Sequence, residues 1–321
     1  MMYENEIDLK ELSDKETNEL LPNNLILLGW RGSISHGTYR SSDNPNSIDD
    51  KDLLGTYVAP LHHYLGFRKK ELESYEKFEG VWDVVGHEVQ KFTDMLLGFN
   101  PNVINLLWLP DNLVIYETEE GSMLRENRDA FISKKESYNS FRGYAKSQME
   151  QMKKSRDNLD DLERLKELRE DIVTKKGVDR IDDLTNGNYV NNDHLNVLEE
   201  EYVELAKKYY SGYLGKKRKR LVRKFGYDPK QASHMIRLLR MGIEFLVDGE
   251  LNVHRHDNQE LVNIKQGEWK FDRILNEADR LFNKLEDAYI NSDLPTDPDR
   301  ERAENIVIDI IKKYYNLSSV K

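Results

Sequence analysis

The sequence predicts an N-terminal α/β (or α+β) unit followed by a mainly helical C-terminal region. Three observations carry that expectation. Between residue 20 and about 135, strand-like and helix-like patterns interleave, the alternation from which a sheet packed with helices is built. From 140 to 220 charged residues dominate, and Leu159, Leu162 and Leu165 recur at helical spacing. From Gly226 onward the pattern is helical throughout.

Taken in order, Asn24 to Trp30 and Asp52 to Val58 read as strands, and Val81 to Val85, with Asp83 at its centre, as a third. A helix follows over roughly Glu88 to Leu97, broken at Gly98-Phe99-Asn100-Pro101. Pro101 suits the first turn of a short helix carrying Val103, Ile104, Leu106 and Leu107, where a missing N–H costs nothing. The charged middle is expected to be a solvated helical insertion without chemistry, with a polar loop from Thr185 to Asn192. Asp228-Pro229-Lys230-Gln231 is a helix start: aspartate as cap, proline first, glutamine three after the cap. Ala232, Met235, Ile236, Leu239, Ile243 and Leu246 then share one face. Lys230, His234 and Arg237 gather on the opposite one. Gly249 is a stop signal, and two more helices follow around Trp269 to Ile290 and Arg300 to Tyr315. The expected domains are 1–138 and 139–321, the latter with its charged insertion at about 150–220.

A chain of 321 residues that is 38% hydrophobic and 33% charged can bury a core beneath a heavily charged surface. Its net charge of −11 argues against a nucleic-acid coat over the whole surface but leaves room for a local basic groove. The absence of cysteine excludes disulfides, a thiol nucleophile and Cys-ligated zinc. No run of eighteen apolar residues suggests a membrane span. The acidic start Met1-Met2-Tyr3-Glu4-Asn5-Glu6 lacks the basic and apolar regions of a signal peptide, so a cytoplasmic protein is expected.

Chemistry concentrates in two places. Gly32-Ser33 follows the first strand in a tight turn, where glycine admits close approach of a phosphate and serine adds a hydroxyl. Asp49, Asp50 and Asp52 open the second strand, although strands are poor in aspartate. Side chains alternate along a strand, so Asp50 and Asp52 share a face while Asp49 and Lys51 point the other way. Two carboxylates on one face seat a divalent cation such as Mg²⁺, which completes its shell with water and substrate phosphates. Asp83, among Trp82, Val84 and Val85, is out of place unless functional or paired. A strand beside the first acidic one would bring it to the same cation. Phosphate grip and acidic strand together form the minimum apparatus for phosphoryl or nucleotidyl transfer.

The order Gly32-Ser33, Asp50-Lys51-Asp52-Leu53, Asp83 resembles the nucleotidyltransferase signature of the DNA polymerase β superfamily. The segments "DVVGHEVQKFTDMLLGFNPNVINLLWLP" (83–110), "GYDPKQASHMIRLLRMGIEFLVDGEL" (226–251) and "LPTDPD" (294–299) are similar to one branch of it, the predicted nucleotidyltransferases associated with RNA ligase and repair systems. The resemblance implies a mixed sheet with helices packed on it. It also implies transfer of a nucleoside monophosphate from a triphosphate to an acceptor hydroxyl, with release of pyrophosphate. In that reading Gly32 and Ser33 bind the triphosphate, and Asp50, Asp52 and Asp83 hold Mg²⁺ (or Mn²⁺). Asp83 helps deprotonate the acceptor, and Lys230, His234 and Arg237 contact triphosphate or acceptor. The acceptor favoured by the association is RNA. Two departures, Lys51 between the aspartates and a long Ser33-to-Asp50 interval, motivate an inactive nucleic-acid-binding relative as an alternative. A protein-modifying nucleotidyltransferase is another.

Other features are weaker. Lys216-Lys217-Arg218-Lys219-Arg220, with Arg223 and Lys224 beyond, is the strongest basic run and a candidate nucleic-acid contact, and Tyr209, Tyr210 and Tyr213 precede it. His254 and His256 read as surface histidines, His62 and His63 do not suit a shared metal, and Glu88 reads as a helix start rather than a third carboxylate.

Overall fold

The structure, a computed structural model, describes residues 24–40, 51–66, 73–186, 195–210 and 216–317. The strands among them are β1 (Leu25–Trp30), β2 (Lys51–Tyr57), β3 (Ser74–Glu79), β4 (Trp82–Glu88) and β5 (Val114–Glu117). The helices are α1 (Gly32–Ser35), α2 (Leu61–Leu65), α3 (Val89–Leu97), α4 (Glu119–Glu126), α5 (Lys134–Lys176), α6 (Val178–Asn186), α7 (Val197–Tyr210), α8 (Lys216–Phe225), α9 (Pro229–Asp248), α10 (Asn258–Lys265), α11 (Phe271–Asn291) and α12 (Arg300–Tyr314). No helix among the described residues is long and apolar enough to cross a membrane. By contacts the chain divides into two compact units. One is made of the described residues of Met1–Ala145, Met235–Val262 and Asn276–Lys321, the other of those of Lys146–His234 and Asn263–Leu275.

In the first unit the strands form a sheet of order β3-β4-β2-β1-β5. β2 and β4 are parallel, and every other neighbouring pair is antiparallel, so the sheet is mixed as expected. β2 and β4 both enter it through two half-buried residues and then run fully buried. Their polar starts therefore lie at one rim and their apolar bodies in the core. Gly29 on β1 makes room for the 3-10 turn Ile104–Trp108: a Cβ there would come within 2.4 Å of Leu109 and 2.8 Å of Leu106. The sequence pattern identifies β1, β2 and β4 but misses β3 and β5. Both are edge strands; β3 is half charged and largely exposed, and β5 is four residues long, so neither carries a clear apolar alternation.

Parts of the three segments behind the family resemblance, distant in sequence, meet in this unit. Phe99 packs against Phe245 with ring centroids 4.4 Å apart and the rings tilted by 47°, and Trp108 Nε1 donates to Glu250 at 2.7 Å. Leu294–Asp299 ties the start of α5 to that of α12. Ser133 Oγ donates to the Thr296 carbonyl at 2.7 Å, Lys134 N to that of Pro295 at 2.8 Å, and Asp299 accepts from Arg302 N at 3.0 Å as the cap of α12.

The second unit has a core of its own. Leu165, Leu168 and Ile172 of α5, Ile181 and Leu184 of α6, and Tyr202 and Val203 of α7 pack together. The charged middle is thus not merely a solvated face. Within it Glu199 is fully buried and accepts from Arg180 at 2.8 Å and Lys176 at 3.0 Å. Its other oxygen accepts from Asn196 N at 3.1 Å, closing a capping box at the start of α7.

Candidate active site

Register decides which carboxylates can meet. Asp52 on β2 lies directly beside Asp83 on β4 across the parallel pair, and residues in register on adjacent strands project from the same face. The sequence expectation needed these two strands to be neighbours, and they are. Asp49 and Asp50 fall outside the described residues. Lys51 and Trp82 are the neighbouring pair on the opposite face. There the Lys51 ammonium lies 4.9 Å from the centre of the Trp82 ring, which stacks on Trp30. A lysine between two aspartates is therefore compatible with an acidic face, because the pleat turns it away.

The Gly-Ser turn abuts this acidic pair. Arg31 N donates to the Asp52 carbonyl at 3.0 Å, and Gly32 takes φ +62°. A Cβ on Gly32 would stand 2.2 Å from Asp52 Oδ2, so only glycine lets the turn and the carboxylate lie this close. Ser33 Oγ is buried with no hydrogen-bond partner among the described residues. A buried hydroxyl without a partner is costly unless a ligand satisfies it.

The turn is held from below by a network that the sequence reading missed. His36 Nδ1 lies 2.9 Å from the Val253 carbonyl, and Gly37 packs against His254. Arg255, fully buried, follows in this support. It bonds both oxygens of Glu244 at 2.5 and 2.7 Å and Asp257 at 2.8 Å. Arg240 of α9 bonds the other oxygen of Asp257 at 2.7 Å. Burial alone would raise the Asp257 carboxyl, but the two arginines hold it below its ordinary value. The only local sign was two arginines and five acids spread over positions 240–260, a pattern indistinguishable from a charged surface.

Arg31 is the second omission. Its guanidinium donates to Asp83 Oδ2 at 2.8 Å, and its Nε is buried without a partner among the described residues. Phe78 of β3 is the third. It is in register with Asp83, on the same face, and 68% exposed.

The remaining predicted residues are placed as follows. Lys230, His234 and Arg237 are half-buried positions on one face of α9, between buried Ala232, Met235, Ile236 and Leu239. Asp228 caps that helix, accepting from Lys230 N at 3.0 Å and Gln231 N at 3.2 Å. Burial, with the Arg255 charge nearby, pushes the Arg237 guanidinium down to about 9, and it donates to the Met241 sulfur at 3.3 Å. It stays cationic at neutral pH. The basic run lies on α8, where Arg220, Arg223 and Lys224 are exposed. The side chains of Tyr209, Tyr210, Lys216, Lys217, Arg218 and Lys219, and all of Tyr213, fall outside the described residues. Glu88 is the cap of α3 and accepts from Tyr64 Oη at 2.6 Å, at the far end of β4 from Asp83. His254 and His256 are exposed.

The donor set fits a hard divalent cation: two carboxylates side by side at a half-buried rim, beside a hydroxyl lacking a partner among the described residues. Among the described residues no group of three or more candidate ligands is assembled. Asp50, the third carboxylate expected on this face, is not among them.

No curated protein and no solved structure matches the chain. A family model does, over residues 5–309, and with almost the whole length covered the chain belongs to the RNA repair pathway DNA polymerase beta family.

Proposed function

We propose that this protein is a divalent-metal-dependent nucleotidyltransferase that moves a nucleoside monophosphate from a triphosphate to the hydroxyl of an RNA end. The observation that carries the reading is the registered Asp52–Asp83 pair with Gly32-Ser33 pressed against it, in a chain of this family. Asp50, Asp52 and Asp83 hold the cation. When bound, Mg²⁺ or Mn²⁺ supplies charge neutralisation for the triphosphate. Ser33 Oγ and the backbone of the turn take phosphate oxygens. Asp83 accepts the proton of the acceptor hydroxyl as its oxygen bonds the α-phosphorus and pyrophosphate departs.

Lys230, His234 and Arg237 contact triphosphate or acceptor; a desolvated guanidinium such as that of Arg237 favours an anion. Lys216–Arg220 bind the RNA backbone, and Phe78 offers its exposed ring to an acceptor base.

The test is label transfer. Each α-labelled triphosphate is incubated with Mg²⁺ or Mn²⁺ and with RNA, DNA or cell protein, beside an Asp50→Ala, Asp52→Ala double variant. Label entering RNA with the wild type alone is the expected outcome. Label entering protein instead would make this a protein-modifying enzyme. No transfer, with triphosphate binding indifferent to the substitutions, would overturn the catalytic reading. A non-catalytic binding module is the second reading, and the ion pair on Asp83 is what favours it.

A further inference from the structure

Arg31 holds the carboxylate that the proposed chemistry needs. Its backbone N–H is bonded to the Asp52 carbonyl, and its side chain reaches across β2 to Asp83 on β4. The guanidinium therefore lies along the acidic face itself, and its charge is also felt by His87 further along β4. Two like charges side by side repel, and Arg31 offsets this when no other cation does. Yet the pair is not a sealed structural one. Asp83 is 36% exposed and Arg31 25% exposed, so water and ions reach both. Such half-exposed pairs are weakly held. Arg31 Nε, moreover, is buried without a partner among the described residues, so the guanidinium has donors to spare. An arginine on a flexible stem, next to a phosphate-gripping turn, is suited to bidentate recognition of phosphate.

We propose that Arg31 is a built-in counter-ion that guards Asp83 until substrate arrives and then moves to the triphosphate. In the free protein the guanidinium neutralises Asp83. On loading, Arg31 yields the carboxylate to the divalent cation and pairs with phosphate oxygens beside Ser33. Asp83 thus becomes a ligand and proton acceptor only when a triphosphate is present to draw Arg31 away. The inference rests on the proposed metal and triphosphate site and makes Arg31 a positioning residue within it.

Two equilibria separate this from a structural salt bridge. Binding of Mn²⁺ alone is followed by electron paramagnetic resonance of the free ion. Binding of a non-hydrolysable ATP analogue with saturating Mn²⁺ is followed by calorimetry. For Arg31→Gln, Mn²⁺ alone should bind about two- to fivefold more tightly, because a half-exposed competitor is gone. The analogue should bind about tenfold more weakly, because a charge-assisted contact is lost. Arg31→Lys, which keeps the charge, should return Mn²⁺ affinity to the wild-type value, and Arg31→Met, uncharged and of similar length, takes the place of Arg31→Gln if that variant folds poorly. An uncharged variant at Arg31 that binds both ligands as the wild type does, or that loses both together, overturns the switch. Wild-type protein that binds neither, with Asp52→Asn without effect, would instead overturn the site and this proposal with it.

Discussion

Asp52 and Gly32 show how closely a single side chain can depend on the absence of another. Their contact leaves no space for a Cβ, and φ +62° costs an L-residue about 1–2 kcal/mol besides. Gly32→Ala should therefore lower the stability of the first unit by roughly 2 kcal/mol or more and push the Asp52 carboxylate aside. Thermal unfolding and binding of the ATP analogue check this: both should fall. A variant with unchanged melting temperature and unchanged affinity would remove the turn from the site. Lys51 teaches the complementary lesson. Its position between acids suggested a disabled cation seat, but alternation sends it to Trp82 on the other face.

At the scale of elements, the parallel pairing of β2 with β4 does the assembling. A slip of one residue would send Asp83 to the opposite face and bring Trp82 to the acidic side. β3 then extends the row, bringing Phe78 beside Asp83. An exposed phenylalanine on an edge strand is a liability in a free surface and an asset in a stacking one. Phe78→Ala should weaken binding of single-stranded RNA by about five- to tenfold, the range of one lost stacking partner, while leaving affinity for the triphosphate unchanged. Fluorescence anisotropy of labelled RNA measures it, and equal affinity for RNA would take Phe78 out of the acceptor path. The C-terminal part of α9 contributes from behind: Arg240 and Glu244 fix Arg255 and Asp257, and with them the segment under the Gly-Ser turn.

The molecule as a whole is two compact units, and the second holds a core of its own with a buried carboxylate in it. In the second, burial alone would raise the Glu199 carboxyl. Hydrogen bonds from Arg180, Asn196 N and Lys176 outweigh that and hold it down to about 2, from an ordinary 4.5. A depressed carboxyl stabilises the fold above its unfolded value, and the contribution is lost as pH falls through the folded one. The second unit should thus lose stability progressively from about pH 4.5 to pH 2. Glu199→Gln should cost this unit about 2 kcal/mol at neutral pH and flatten that acid decline. Hydrogen exchange of α6 and α7 amides, read across pH, measures both. An acid profile identical in the variant would show that Glu199 does not govern it.

The sequence by itself determined what short range can encode. Apolar runs marked β1, β2 and β4, Asp228-Pro229 marked the start of α9, Asp52 and Asp83 stood out because strands are poor in aspartate, and Gly32-Ser33 because a glycine turn after a strand admits a phosphate. Family membership was legible as well, since it rests on motif order. Only the tertiary structure decided the rest. Arg31 and Asp83 are 52 positions apart, and nothing near either one announces the other. The Arg255 network, the edge strands and the exposed Phe78 likewise depend on which strands become neighbours and in what register. Periodicity and capping are local properties of a chain; pairing between distant charges is a property of the fold that brings them together.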